Sequence, residues 1–237
     1  MDPSIPNVSV IVPVYNEQEN LSQTVEEVAQ AFSSTGTSYE LIFVNDCSSD
    51  GTQDHLNTLC GGHASVKAIH LNQRSGQSAA MLRGMTEATG STLVTMDGDC
   101  QNNPADIPRL LETLTTCDVV CGFREKRADS WSRRVGSKLA NRVRNWITKD
   151  GIRDTGCSLK AFKSECRGDL PPLEGVHRFM PAYFILNGRS IKEIAVDHRP
   201  RTRGSSKYTN LSRLPRTVVD LFGFRWYRKR FLKQADR

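Results

Sequence analysis

The sequence predicts an α/β fold with a doubly wound, mainly parallel sheet, and three observations carry that prediction. Short apolar, β-branched runs alternate with segments of helical period along the first half of the chain. Their spacing fits βαβ crossovers, which place helices on both faces of one sheet. The polar clusters fall directly after the strands, at the carboxyl edge where open α/β sheets bind ligands.

In chain order, VSVIVPV over 8–14 reads as a buried strand, and NLSQTVEEVAQAF after it as an amphipathic helix with Asn20 and Gln23 as a candidate capping box. YELIFVND (39–46), VKAIHL (66–71), STLVTMD (91–97) and DVVCG (118–122) supply the second to fifth strands. Helices are expected over 51–60, 76–89 and 104–115, with Gly90 as the C′ stop of the 76–89 helix and Pro104 in the first turn of the next. No internal repeat or low-complexity linker interrupts the series.

At 237 residues, 38% hydrophobic and 24% charged, the chain has the makings of one soluble α/β domain with an appendage. It has no run approaching the ~18 to 20 apolar residues of a membrane span, and MDPSIPNVSV opens on an acid, so no signal peptide and a cytoplasmic location are expected. The seven cysteines lack CxxC spacing and the five histidines never fall at i, i+4, which argues for reduced thiols and against a zinc site. The net charge of +6 is concentrated at one end: residues 199–237 hold twelve Lys and Arg against two Asp. That tail favours an anionic partner surface.

Residues 94–101, VTMDGDCQ, end a strand on two aspartates one glycine apart. Like charges that close make sense mainly if a cation or a set of donors lies between them. Three more polar clusters end the other strands: PVYNEQEN (13–20), NDCSSDGT (45–52) and NQRSGQS (72–78). Any one of them is an ordinary turn. Four on successive strand ends exceed what turns require.

VSVIVPVYNEQENL, LIFVNDCSSDGT and MDGDCQNNP together resemble the family 2 glycosyltransferases of the type A, Rossmann-like nucleotide-sugar fold, and more narrowly the dolichyl-phosphate mannosyltransferase and bacterial polyprenyl-phosphate glycosyltransferase branch. The similarity continues through GFREKR, DTGCSLKAF, VHRFMPA and HRPRTRGSSKY, covering roughly 8–208, the expected catalytic domain (1–208), with 209–237 a basic amphipathic C-terminal segment. The resemblance implies inverting transfer of a sugar from a nucleoside diphosphate, with Mg²⁺ or Mn²⁺ neutralising the leaving diphosphate. Asp99 is then the direct metal contact, Asp97 holds the metal, the ribose or the sugar, and Gln101 completes the metal or diphosphate shell. It further implies that Pro13, Tyr15, Glu17 and Asp46 line the nucleotide pocket, with Tyr15 near the base, Glu17 on the ribose and Asp46 accepting from the base. Asn45 stands where the family usually has a second acid, which leaves the base, and the choice between GDP-mannose and UDP-glucose type donors, open.

A sugar hydroxyl needs a general base, whereas a lipid monophosphate already carries its nucleophilic oxyanion and needs cationic positioning. FREKRADSWSRRVGSKLANRVRNW supplies cations in quantity, with Trp131 and Trp146 on an apolar side and Arg133 and Arg144 largely on a basic one. The resemblance matches Arg124, Arg133 and Ser137 to acceptor-phosphate positions, and Arg201, Gly204, Ser206 and Lys207 to an R-x-x-G-x-S-K loop over the phosphates. Asp154 stands where relatives acting on hydroxyls keep a base; with a phosphate acceptor it orients the sugar or an arginine. The expected partners are a nucleotide sugar, a polyprenyl phosphate and an anionic membrane surface, without nucleic acid. The expected location is cytoplasmic and peripheral to the membrane, with Phe224, Trp226, Tyr227 and Phe231 burying in the interface. A C-terminal helix packed on the catalytic domain is the competing reading of that segment. FGFRW has Phe222 where the Q-x-x-R-W of processive synthases has its glutamine, which argues against that branch. The alternatives are transfer to a hydroxyl with Asp154 as base, and a non-catalytic basic binding module.

Overall fold

The computed structural model describes residues 6–125, 144–201 and 210–232, the last stretch with side chains from Thr217 onward. Among these residues one sheet of seven strands forms the centre: β1 (Val8–Val14), β2 (Tyr39–Asn45), β3 (Val66–His70), β4 (Thr92–Thr95), β5 (Val119–Arg124), β6 (Lys160–Lys163) and β7 (Ile191–Val196). The order is β3-β2-β1-β4-β6-β5-β7, with β6 alone antiparallel to its neighbours. The helices are α1 (Leu21–Ser33), α2 (Thr52–Gly62), α3 (Gln77–Glu87), α4 (Ile107–Leu114), α5 (Val176–Leu186) and α6 (Asn210–Arg230).

Alternation along the strands builds two cores. In β1 the residues Val8, Val10, Val12 and Val14 meet α1, α2 and α4, while Ile11 joins Ile42 and Val44 of β2 under α3, α5 and α6. Helices therefore cover both faces, as a doubly wound sheet requires. The five expected strands and the helices expected over 51–60 and 76–89 are present with bounds shifted by no more than two residues, while the one expected over 104–115 begins as a 3₁₀ turn at Pro104–Asp106 and is α-helical only from Ile107 to Leu114. Pro13 fits inside a central strand because Ile11 and Pro13 face the same neighbour: Ile11 O accepts from Met96 N at 3.2 Å, and the β4 ladder has ended at Thr95 before Pro13 would need an N–H.

The local expectations fail at several points. Asn20 and Gln23 form no capping box. A 3₁₀ turn at Gln18–Asn20 already coils the chain into α1, Asn20 Nδ2 donates to Glu17 Oε2 (2.6 Å), and Gln23 Nε2 reaches Glu27 (2.9 Å). Gly90 is not a helix stop, since α3 ends at Glu87 with Ala88 extended; Gly90 is demanded instead by contact, because a Cβ there would lie 2.8 Å from the Ser9 backbone nitrogen. Residues 144–148 are helical as the amphipathic pattern implies, but the faces are reversed: Trp146 is 68% exposed, while Arg144 is half-buried and hydrogen-bonded to Thr155, Asn145 and the carbonyl of Ile152. Phe224 and Tyr227 do not face outward from the C-terminal segment. Phe224 stacks on Phe179 and meets Tyr183 edge-on, and Tyr227 also meets Tyr183 edge-on. All seven cysteines are free thiols, five of them buried, and burial pushes Cys121 up to about 12, far from a reactive thiolate.

Candidate active site

The parallel strands deliver their following loops to one rim, centred on the crevice between β1 and β4 where the strand order reverses. Because β6 runs the other way, its preceding segment, with Asp154, reaches the same rim beside Arg124 at the end of β5. Three of the four non-glycine residues with positive φ among the described residues lie there, at the ends of the adjacent strands β1, β2 and β4: Asn16 (52°), Cys47 (55°) and Cys100 (58°). Left-handed backbone in such residues is strained, and it persists where the surroundings impose it.

Side chains lock these loops together. Asn16 Oδ1 accepts from Ser49 N (2.8 Å), and Glu17 N donates to Thr52 Oγ1 (3.1 Å). Asp46 accepts from the backbone of Ser75 (2.6 Å) and Gly76 (2.9 Å), shaping the entry to α3 with one bond to each carboxylate oxygen. The Arg74 guanidinium covers the Tyr15 ring at 4.1 Å. At the DGD turn, Asn102 Oδ1 accepts from Asp97 N (3.1 Å) and from Ser158 Oγ (2.8 Å), and Gln77 Nε2 donates to Asp97 Oδ1 (2.9 Å). Gly98 has to be glycine, since a Cβ would sit 2.6 Å from Val14 Cγ1 of β1.

Asp99 accepts from Gln101 N (3.2 Å) and lies 3.7 Å from Arg201 Nη1. Burial, then the neighbouring Asp97 carboxylate, pushes Asp99 up to about 6, so its charge is held uncomfortably in the fold. Arg201 Nη2 also donates to both Glu17 oxygens, at 2.7 and 2.8 Å. The segment carrying Arg201 is pinned by Arg199, which reaches Glu27 (2.7 Å) and Asn103 (2.6 Å), and by Gln101 Nε2 donating to Arg199 O (3.3 Å), which leaves the Gln101 amide oxygen for the site.

The structure thus gathers Tyr15, Glu17, Asp46, Asp97, Asp99, Gln101 and Arg201 on one rim, with Pro13 in the strand below. A second cluster joins Arg124 to Asp154: Nε and Nη2 donate to Oδ2 (2.7 Å) and Oδ1 (2.9 Å), and the Arg124 backbone N–H adds a third bond at 3.3 Å. The Asp154 hydrogen bond and charge outweigh desolvation and raise the Arg124 pKa. Arg133, Ser137, Ser206 and Lys207 lie outside the described residues. Gln77, Asn102 and Arg199 carry contacts that were not assigned from sequence; Gln77 lies in the NQRSGQS cluster, which was the available signal.

The donor set suits a hard divalent cation: an amide oxygen and two carboxylates, one of which, Asp99, is half-buried with a charge that a cation would relieve. Among the described residues no three Asp, Glu, His or Cys side chains converge to hold a metal by themselves.

Residues 9–166 match the sequence profile of Glycosyl transferase family 2. The chain is 34% identical over 226 residues to a dodecaprenyl-phosphate galacturonate synthase of Rhizobium johnstonii, covering 93% of this chain and 67% of that protein. Its fold is similar to glucosyl-3-phosphoglycerate synthase from Mycobacterium tuberculosis in complex with Mn²⁺, UDP and glucosyl-3-phosphoglycerate (TM-score 0.71, 19% identity, 93% of this chain and 80% of that one). A mannosyltransferase from Pyrobaculum calidifontis, in complex with GDP-Man and Mn²⁺, is similar at TM-score 0.67 and 19% identity, over 94% of this chain and 64% of that one. With the family profile over more than half its length and a relative this similar across nearly all of it, the chain belongs to glycosyl transferase family 2 and is a glycosyltransferase.

Proposed function

We propose that the protein transfers a hexose or hexuronate from a nucleoside diphosphate to a polyprenyl phosphate, with inversion at the sugar carbon. The observation that carries this reading is the Arg124–Asp154 pair: the acidic group on the acceptor side is bonded three ways to one arginine, so the cluster offers a fixed cation rather than a base. An acceptor phosphate needs the cation and no base, and the relative named as a dodecaprenyl-phosphate galacturonate synthase supports the same acceptor class.

In this reading Pro13, Tyr15, Glu17 and Asp46 form the nucleotide pocket, the ring of Tyr15 offering a face to the base and the spare lone pairs of Asp46 accepting from it. Asp97, held by Gln77, orients the ribose or sugar. Asp99, with Asp97 and Gln101, would hold Mg²⁺ or Mn²⁺, which when bound neutralises charge on the departing diphosphate. Arg201 adds a guanidinium to the same diphosphate, exchanging its bonds to Glu17 for phosphate oxygens. Arg124 sets the acceptor phosphate for in-line attack, with Arg133, Ser137, Ser206 and Lys207 as further phosphate contacts carried by the family resemblance. Residues 1–208 form the catalytic unit and 209–237 an attached basic segment. The enzyme works at the cytoplasmic face of a membrane as a peripheral protein; no helix among the described residues is long and apolar enough to cross one.

Incubation with GDP-mannose, UDP-glucose or UDP-galacturonate and a short-chain polyprenyl phosphate, with Mn²⁺ or with chelator, tests the reading. A lipid-linked sugar phosphate formed only with the metal is expected. Transfer to sugar hydroxyls instead, without lipid product, would overturn it.

A further inference from the structure

Among the described residues eight large hydrophobic side chains are exposed, and six of them are Trp146, Val218, Val219, Phe222, Trp226 and Leu232. Single exposed apolar residues need no explanation, but a concentration of most of them on one helix and an adjoining turn does. The outward face of α6 follows helical spacing: Val218, Phe222 and Trp226 are four apart, with Val219 beside them.

The opposite face is fully used. Leu221 and Phe224 are buried in the core, Arg178 pairs with Asp220 at 3.2 Å, and Arg228 donates to the carbonyl of Ile147. Since α6 is held on α5 and on the 144–148 turn, its outer surface is a fixed part of the domain. The charges are sorted as well. Asp220, the one acid of α6, points inward to Arg178, whereas the Arg225 guanidinium lies over Trp146 at 5.6 Å and that of Arg230 over Trp226 at 5.7 Å.

We infer that Trp146 and the outer face of α6 together form one rigid surface that seats on the headgroup region of an anionic bilayer. Indole rings capped by guanidinium groups match the boundary between hydrocarbon and headgroups, and a basic helix whose one acid is paired with Arg178 matches anionic lipid. The surface also adjoins the acceptor side of the site: the turn bearing Trp146 begins at Arg144, whose bonds to Thr155 and the Ile152 carbonyl hold the loop that presents Asp154 to Arg124. This inference rests on the polyprenyl-phosphate reading for its purpose, but its measurement does not depend on transfer.

The test uses the full chain and vesicles of phosphatidylcholine with or without phosphatidylglycerol. Removal of α6 is not usable, because it would strip Leu221 and Phe224 from the core. The double variant Phe222→Ser with Trp226→Ser should melt like the parent, bind anionic vesicles about tenfold or more weakly, and still glycosylate a short, water-soluble polyprenyl phosphate. In chains retaining Trp226 or Trp146 as the sole tryptophan, lipids brominated on the acyl chain should quench the fluorescence on binding. Equal vesicle binding by parent and double variant, or no quenching while bound, overturns the inference. So does concentration-dependent self-association of the parent that the same double variant abolishes, which would make the surface a protein interface. If vesicles bind as expected while no lipid phosphate is glycosylated, the acceptor reading fails and the surface stands.

Discussion

Arg201 clasps Glu17 through one guanidinium nitrogen, Nη2 lying 2.7 Å from Oε1 and 2.8 Å from Oε2. The pair joins a loop after β1 to the segment after β7, two strands far apart in the sheet, and sets a cation over the β1/β4 crevice. Nη1 of the same arginine lies 3.7 Å from Asp99, so one side chain partly neutralises two acids that would otherwise repel.

Asp99→Asn should lower turnover by on the order of a hundredfold or more, through loss of the charge that a metal and diphosphate engage. Stability should move the other way. A carboxyl raised from 3.8 to about 6 by burial and Asp97 favours folding below its unfolded value and loses that contribution as pH rises through 6. In chelator at pH 8 the variant should therefore melt at or above the parent, the gap closing near pH 4. Melting well below the parent at pH 8 would make Asp99 a structural residue.

Asp154→Asn separates positioning from base catalysis. It weakens three bonds to Arg124 at once, so the apparent acceptor KM should rise several-fold to about a hundredfold while the acidic limb of the pH profile stays in place. A drop confined to kcat, with loss of that limb, would identify a general base and a hydroxyl acceptor.

Gly98→Ala tests why glycine separates the two aspartates. The added Cβ meets Val14 Cγ1 at 2.6 Å, and overpacking of that kind costs about 1–3 kcal/mol, here by pushing the DGD turn off β1. Activity should fall with stability. Gly61→Ala in α2, where nothing lies within 4 Å, should instead stabilise by about 0.5–1 kcal/mol in a denaturant titration.

Much of this arrangement was legible in the sequence, for physical reasons that also mark its limits. β1, β2, β4 and β5 are largely buried and read as near-continuous apolar runs, β3 is an edge strand still marked by its β-branched residues, and Asp97, Asp99 and Glu17 follow their strands at short range. KAFK of β6 is four residues with a lysine at each end, too short and too polar to announce a central strand. Its reversed direction, which brings Asp154 to Arg124, depends on pairing with β4 and β5 and leaves no local signal. The basic run around Arg144 misled for a related reason: periodicity shows that a helix has two faces, and the buried acid Asp150 beside Arg144 decides which one turns inward.

Glu40 sets part of the acid limit of the fold. Desolvation works against its charge, but Lys67 at 2.6 Å, Ser9 and Thr89 outweigh that and hold it at about 2 instead of 4.5. A depressed carboxylate contributes stability above its unfolded value and loses it as pH falls through 2. Glu40→Gln should thus cost about 2–3 kcal/mol at pH 7, the solvent exposure of Lys67 discounting the full shift, and almost nothing at pH 2. Urea midpoints across that range check the sign.

Phe222 and Phe224 lie two residues apart on α6 and should behave oppositely. Phe224 is 1% exposed, with its ring centroid 5.8 Å from that of Phe179 and 5.1 Å from that of Tyr183, whereas Phe222 is 62% exposed. Truncating a buried phenylalanine costs about 3–5 kcal/mol, from lost transfer energy and the cavity left behind. A surface position costs within about 0.5 kcal/mol. Phe224→Ala should therefore lower the urea midpoint sharply and expose the α5 face to hydrophobic dyes, while Phe222→Ala leaves the midpoint unchanged. Equal, small effects would mean that α6 is not docked on α5 in solution, and the outer surface would then have no fixed orientation from which to meet a membrane.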